Sequence, residues 1–73
     1  MIGYICTPEQ KELIQGQFFA TDIFFNCVAD INGVWFLFLS TQDIPLVESS
    51  QYAWVLTLPQ GEYTPPPPPP FPG

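Results

Sequence analysis

Ile23-Phe24-Phe25-Asn26-Cys27-Val28-Ala29, then Asp30-Ile31-Asn32-Gly33, then Val34-Trp35-Phe36-Leu37-Phe38-Leu39: this stretch decides the fold. The first run is rich in β-branched and aromatic residues, the composition of a strand. Asp30–Gly33 reads as a turn, and Asn-Gly is among the strongest short hairpin signals. The third run returns as the partner strand. It is apolar on both faces, whereas a strand with one wet face alternates polar and apolar residues. Val34–Leu39 is therefore expected to be covered on both sides. One face would pack on the domain's own core, and the other needs a helix, the tail or another chain.

Toward the N-terminus, Ile2–Cys6 reads as a short strand. Thr7-Pro8-Glu9-Gln10 then starts a helix, with Thr7 as N-cap, Pro8 at the first helical position and Gln10 closing a capping box. Glu9 and Glu12 suit the positive end of the helix dipole. Leu13 and Ile14 are expected to face inward and Gly16 to stop the helix after about two turns. Thr21-Asp22 is a polar break before the hairpin. Toward the C-terminus, Ser40–Ser50 is a polar connection in which Pro45 argues against a long helix. Tyr52-Ala53-Trp54-Val55-Leu56-Thr57-Leu58 reads as a third strand of the sheet, ended by a turn at Pro59-Gln60-Gly61.

The chain closes on six consecutive prolines, Pro65–Pro70, followed by Phe71, Pro72 and Gly73. Such a run favours polyproline II and spans roughly 19 Å at about 3.1 Å per residue. The expected architecture is thus an α+β, mostly β domain over residues 1–64. It has a small antiparallel sheet, one short N-terminal helix and an extended polyproline tail at 65–73.

With 73 residues there is room for one small domain, marginal by surface-to-volume arguments alone. The compensation is aromatic. All but Phe71 of the seven Phe, two Trp and three Tyr precede the tail. Each large ring can bury on the order of 150–250 Å², and a surplus left exposed would mark a protein contact. Lys11 is the one basic residue in a chain of net charge −6. That argues against nucleic acid, whose phosphates need Lys and Arg, and against an anionic membrane surface.

The chemistry-bearing residues are few. With no His, general acid–base work loses its usual agent. Glu9 and Glu12 are read as a solvated helix start beside Lys11. A nucleophilic Cys6 or Cys27 would need a base or cation to activate it, so the two are read as free, largely buried thiols. Asp30-x-Asn32-Gly33 faintly resembles part of a calcium loop, but Gly comes too early and the closing Glu is missing. No catalytic residue, metal site or cofactor is expected. No signal peptide is visible, which predicts synthesis in a reducing cytoplasm. No apolar run is long enough to span a membrane.

Phe25-Asn26, Val28-x-Asp30, Asn32-Gly33-x-Trp35-Phe36, Tyr52-x-Trp54-Val55-x-x-Leu58-Pro59 and Glu62-Tyr63 before prolines form a pattern similar to that of short bacteriophage-encoded proteins. Their Thr-Pro-Glu-Gln-like helix start is similar too. Cys27 stands where that pattern has Pro. The resemblance implies a viral setting and no chemistry. The leading expectation is a structural subunit, a minor or decorating protein of a phage particle, which binds protein (its own copies or other subunits) and forms part of an oligomer or complex. Its contacts would be made by the tail residues Pro65, Pro66, Pro67, Pro68, Pro69, Pro70, Phe71 and Pro72, and by interface aromatics Trp35, Phe36, Phe38 and Trp54. One alternative is an adaptor presenting polyproline to a proline-binding domain. Another is a carbohydrate or host-surface binder that stacks sugars on Trp35 and Trp54.

Overall fold

A computed structural model describes residues 1–70. The chain is a small α+β domain built on a four-stranded antiparallel sheet of order β2-β3-β1-β4. The strands are β1 (Ile2–Cys6), β2 (Phe25–Ala29), β3 (Trp35–Leu39) and β4 (Gln60–Glu62); the helices are α1 (Pro8–Phe18) and α2 (Ile44–Glu48).

The hairpin forms as its residues dictate. Asp30 begins a tight turn in which its carbonyl accepts the Gly33 N–H at 3.0 Å. The Asp30 carboxylate accepts the N–H groups of Asn32 and Val34, both at 2.9 Å. Gly33 has φ +80°, a left-handed conformation that glycine adopts without steric cost. The carboxylate hinted at as a calcium ligand is thus engaged in holding the turn. Beyond it β2 pairs β3 from Ala29↔Trp35 to Phe25↔Leu39.

The helix start is also as expected. The Gln10 N–H donates to the Thr7 hydroxyl at 3.1 Å, and the Thr7 N–H donates to the Gln10 side-chain oxygen at 2.9 Å. The stop at Gly16 and the inward Leu13 are corrected. Gly16 lies in open space and α1 runs on to Phe18. A glycine there costs only about 1 kcal/mol relative to alanine, less than burial of Phe18 one half-turn later contributes. The break at Thr21 ends the helix, its hydroxyl donating to the Phe18 carbonyl at 2.8 Å. The buried residues are Ile14 and Phe18, spaced four apart on one face, while Leu13 points outward at 49% exposure.

Strand alternation and register put Tyr4, Cys6, Phe25, Cys27, Trp35, Leu37 and Leu39 on the face that α1 covers. The core gathers there: Cys6, Ile14, Phe18, Leu37 and Val55 are buried together. Phe18 sits edge-on to Phe25 at 5.5 Å and to Tyr52 at 5.0 Å between ring centroids.

The third strand expected at Tyr52–Leu58 is not a strand. Ala53–Thr57 is a 3-10 helix. The Ser50 hydroxyl caps the preceding turn by donating to the Val47 carbonyl at 2.8 Å, and it accepts the Tyr52 N–H at 3.1 Å. The Thr57 hydroxyl donates back to the Trp54 carbonyl at 2.6 Å. Tyr52, Val55 and Leu58 then fall three apart, in line on a 3-10 helix, and all three pack in the core region. The fourth strand comes instead from Gln60–Glu62, expected to be part of a turn, which pairs with Ile2–Tyr4. A second helix, α2, carries Pro45 in its first turn, where its missing N–H is harmless.

The second face of β3 is closed by the chain itself. Gly3, Ile5, Phe36 and Phe38 lie there. After β4 the chain places Tyr63 over this face, its ring edge-on to Phe36 and to Phe38, 5.4 Å from each. The Tyr63 hydroxyl donates to the Ala29 carbonyl at 3.2 Å, and the Ile31 N–H donates to the Thr64 carbonyl at 3.0 Å. Pro65–Pro70 come next, exposed and outside any helix or strand. Phe71, Pro72 and Gly73, part of the expected tail contact, lie outside the described residues.

Candidate interaction surface

The aromatic doublets Phe18-Phe19 and Phe24-Phe25 each send one ring inward and one outward. Phe18 and Phe25 pack in the core region, while Phe19 is 87% and Phe24 77% exposed. Phe24 precedes β2, an edge strand that among the described residues pairs only with β3. Its backbone is fixed. The Asp43 carboxylate, itself almost buried, accepts the Phe24 N–H at 3.0 Å.

Phe24 and Phe25 divide two shallow depressions. One, of about 400 Å³, runs over Phe18, Phe19, Thr21 and Ile23. The other, of about 270 Å³, is lined by Phe24, Phe25, Asn26, Phe38, Leu39 and Ser40 and contains no charged residue. It lies at the Phe25↔Leu39 end of the hairpin, opposite the Asp30–Gly33 turn.

The expected interface aromatics are dispersed. Phe38 lines the smaller groove. Phe36 is a correction: it is 3% exposed beneath Tyr63 and presents no surface. Trp35 is half-buried on the helix face, with the Lys11 ammonium 4.4 Å above its ring. That cation–π contact occupies the ring face that sugar stacking would use. Trp54 is half-buried beside the core. Phe19 and Phe24, the most exposed rings of the described residues, were not singled out by composition. The doublets were the available signal: Phe24-Phe25 enters a strand, where neighbouring positions point to opposite sides, and Phe18-Phe19 ends a helix, where neighbours lie about 100° apart.

The two thiols are free. Cys6 on β1 and Cys27 on β2 are separated by β3 and offset by two residues along it, so their backbones lie more than about 10 Å apart, the spacing across the sheet alone at about 4.8 Å per strand. That exceeds the reach of a disulfide, whose Cα atoms sit within about 7 Å. Burial pushes both thiols up. Cys27 is raised to about 11 by burial and then by Cys6, with Lys11 opposing. Both are therefore protonated near neutral pH, unlike an activated nucleophile.

Among the described residues no three His, Cys, Asp or Glu side chains gather where they would hold a metal ion. No helix among them is long and apolar enough to cross a membrane. Comparison with family models, with curated proteins and with solved structures gave no match. The reading of function therefore rests on this chain's own residues.

Proposed function

We propose that this chain is a structural subunit that acts through protein–protein contact within a larger assembly, with its proline-rich arm reaching a neighbouring subunit. The observation that carries this reading is Phe24, 77% exposed, anchored through its N–H by Asp43 and flanking the free edge of β2. With Phe19 beside it, this is a concentration of apolar surface that a small acidic domain gains nothing by keeping wet. An exposed strand edge adds unpaired backbone groups suited to a partner. The protonated thiols and the lack of any His in the sequence favour a non-enzymatic role.

A phage particle, with this chain as a minor or decorating protein, is the setting suggested by the resemblance of the hairpin and the Tyr52–Pro59 segment to short phage-encoded proteins. The adaptor reading keeps one observation in its favour, the exposure of Pro65–Pro70. It lacks the basic residue near the prolines that orients many such ligands. The sugar-binding reading is weakened by the half-buried setting of Trp35 and Trp54 and by the Lys11 ammonium over the Trp35 ring.

Light scattering after size exclusion of the full-length chain tests the main reading. We expect a discrete oligomer that dissociates on dilution, and a shift toward monomer in Phe24→Ser. A chain that is a folded monomer of about 8 kDa at every concentration, with Phe24→Ser unchanged, removes it.

A further inference from the structure

Resting on the assembly reading, we infer that the groove between Phe24 and Phe38 is the receptor for the proline arm of a second copy of this chain. The groove and the arm match in three respects. First, a proline run is a preformed ligand for aromatic-lined grooves, because little conformational entropy remains to be lost on docking. Phe24, Phe25 and Phe38 supply the aromatic walls. Second, prolines offer carbonyl acceptors and no N–H. Asn26 and Ser40 in the lining bring side-chain donors. Third, the chain carries a net charge of −6, so two domains repel as wholes. Pro65–Pro70 and the groove lining are both uncharged, so their contact sets no charged side chain of one surface against a like charge of the other.

The arm of the same copy is poorly placed to fill the groove. Thr64 is tied to Ile31 in the hairpin turn. The groove lies at the other end of the β2–β3 pair, about 13 Å away over four strand residues. A run of prolines with fixed φ does not double back over that distance. The molecule measures 49 × 24 × 23 Å, and all six prolines are exposed. The arm is thus rooted at one end of the hairpin while the groove opens at the other, the head-to-tail arrangement that closes into a ring of subunits.

The test uses the full chain in two forms. Pro66→Gly, Pro68→Gly and Pro70→Gly together keep the arm's length and remove its rigidity, leaving the groove of that variant vacant. A peptide of residues 64–73 is titrated into the isotope-labelled variant and followed by amide chemical shifts. We expect saturable shifts concentrated at Phe24–Asn26 and Phe38–Ser40. Adding Phe24→Ala to the receiver should weaken binding at least tenfold. The native chain should be oligomeric by light scattering and the glycine variant monomeric. Absence of shifts at those amides up to millimolar peptide overturns the inference. So does a glycine variant that still associates like the native chain, which leaves the assembly reading standing and points to pairing of β2 edges. A native chain that is monomeric throughout removes the assembly reading together with the inference.

Discussion

The two faces of the sheet are closed by different means. On one face α1, α2 and the 3-10 segment Ala53–Thr57 enclose Ile14, Phe18, Leu37, Val47 and Val55, all essentially inaccessible. On the other, a single tyrosine does the covering, and the strand beneath it draws close because Gly3 has no side chain. A Cβ on Gly3 would come within 2.8 Å of the Phe38 ring and 3.1 Å of Phe36. The first face is a core of the ordinary kind, made of many partial contributions. The second depends on very few groups, and the deciding one, Tyr63, stands immediately before the arm. The root of the arm is thus part of the fold, and only the segment beyond Thr64 is available for a partner.

The contrast predicts unequal sensitivity. Phe18→Ala on the helix face should have the largest effect, about 3–5 kcal/mol, because it opens a cavity where Phe25, Tyr52 and the helix meet. Total stability of a domain is on the order of 5–15 kcal/mol and lower for very small ones, so circular dichroism of this variant should report a largely unfolded chain. A loss below about 1 kcal/mol in urea unfolding would mean that α1 does not pack as described. Gly3→Ala probes the other face and should cost about 1–2 kcal/mol by overpacking. The cost falls at the low end because the clash is with the outer end of a half-exposed ring. Displacement of Phe38 should accompany it, visible as ring-current changes at Tyr63.

How much of this was legible depends on how local the signal is. The Thr7 capping box and the Asp30–Gly33 turn are written in adjacent residues, and both are found in place. Tyr52–Leu58 was not legible, since every residue but Thr57 is apolar or aromatic and periods of two and three fit equally well. The deciding groups lie just outside it: the Ser50 hydroxyl, which turns the chain into a helix, and the Pro59 carbonyl, which accepts the Ile5 N–H at 2.7 Å and starts the β4 pairing. Pro59-Gln60-Gly61 has turn composition, yet Gly61 serves close packing, with a Cβ there 3.0 Å from Ile5. At the candidate surface, Phe38 and the prolines were expected from the sequence; Phe38 lines the smaller groove and Pro65–Pro70 are exposed. Phe24 was not expected, because its backbone is held by a bond to Asp43, nineteen residues away in sequence.

Two smaller effects sharpen the comparison. Tyr63→Phe keeps the ring over Phe36 and Phe38 and loses only the hydrogen bond to Ala29. It should cost about 1 kcal/mol, the usual net value of one such bond, and Tyr63→Ala should cost more. If the two variants are equally destabilised, the hydroxyl and not the ring closes this face. Cys27 offers a pH-dependent probe of the helix face. Its thiol is raised from 9.0 to about 11 in the folded chain, so over that interval the folded state holds a proton the unfolded state has lost. Stability should be flat below pH 9.0 and fall as pH rises toward about 11. Cys27 is only half-buried, which keeps the slope shallow. Thermal melts across this range should show the decline in the native chain and a flatter profile in Cys27→Ala.

The smallest expected effect on stability belongs to Phe24→Ser, and it separates folding from assembly. Phe24 is 77% exposed, so its side chain contributes little to the core. The backbone bond to Asp43 is retained by any residue other than proline. Unfolding free energy should therefore change by less than about 0.5 kcal/mol, the usual range for surface positions. On either face of the sheet a change this small would mark a residue of no consequence. Here it should coincide with a marked loss of association, because the ring forms a wall of the groove that the arm would enter. If Phe24→Ser instead unfolds the chain, the exposed ring is part of the core's support and the free edge of β2 loses its standing as a contact. If the variant is as stable and as oligomeric as the native chain, the contact lies elsewhere, and Phe19, the more exposed ring at 87%, is the next position to change.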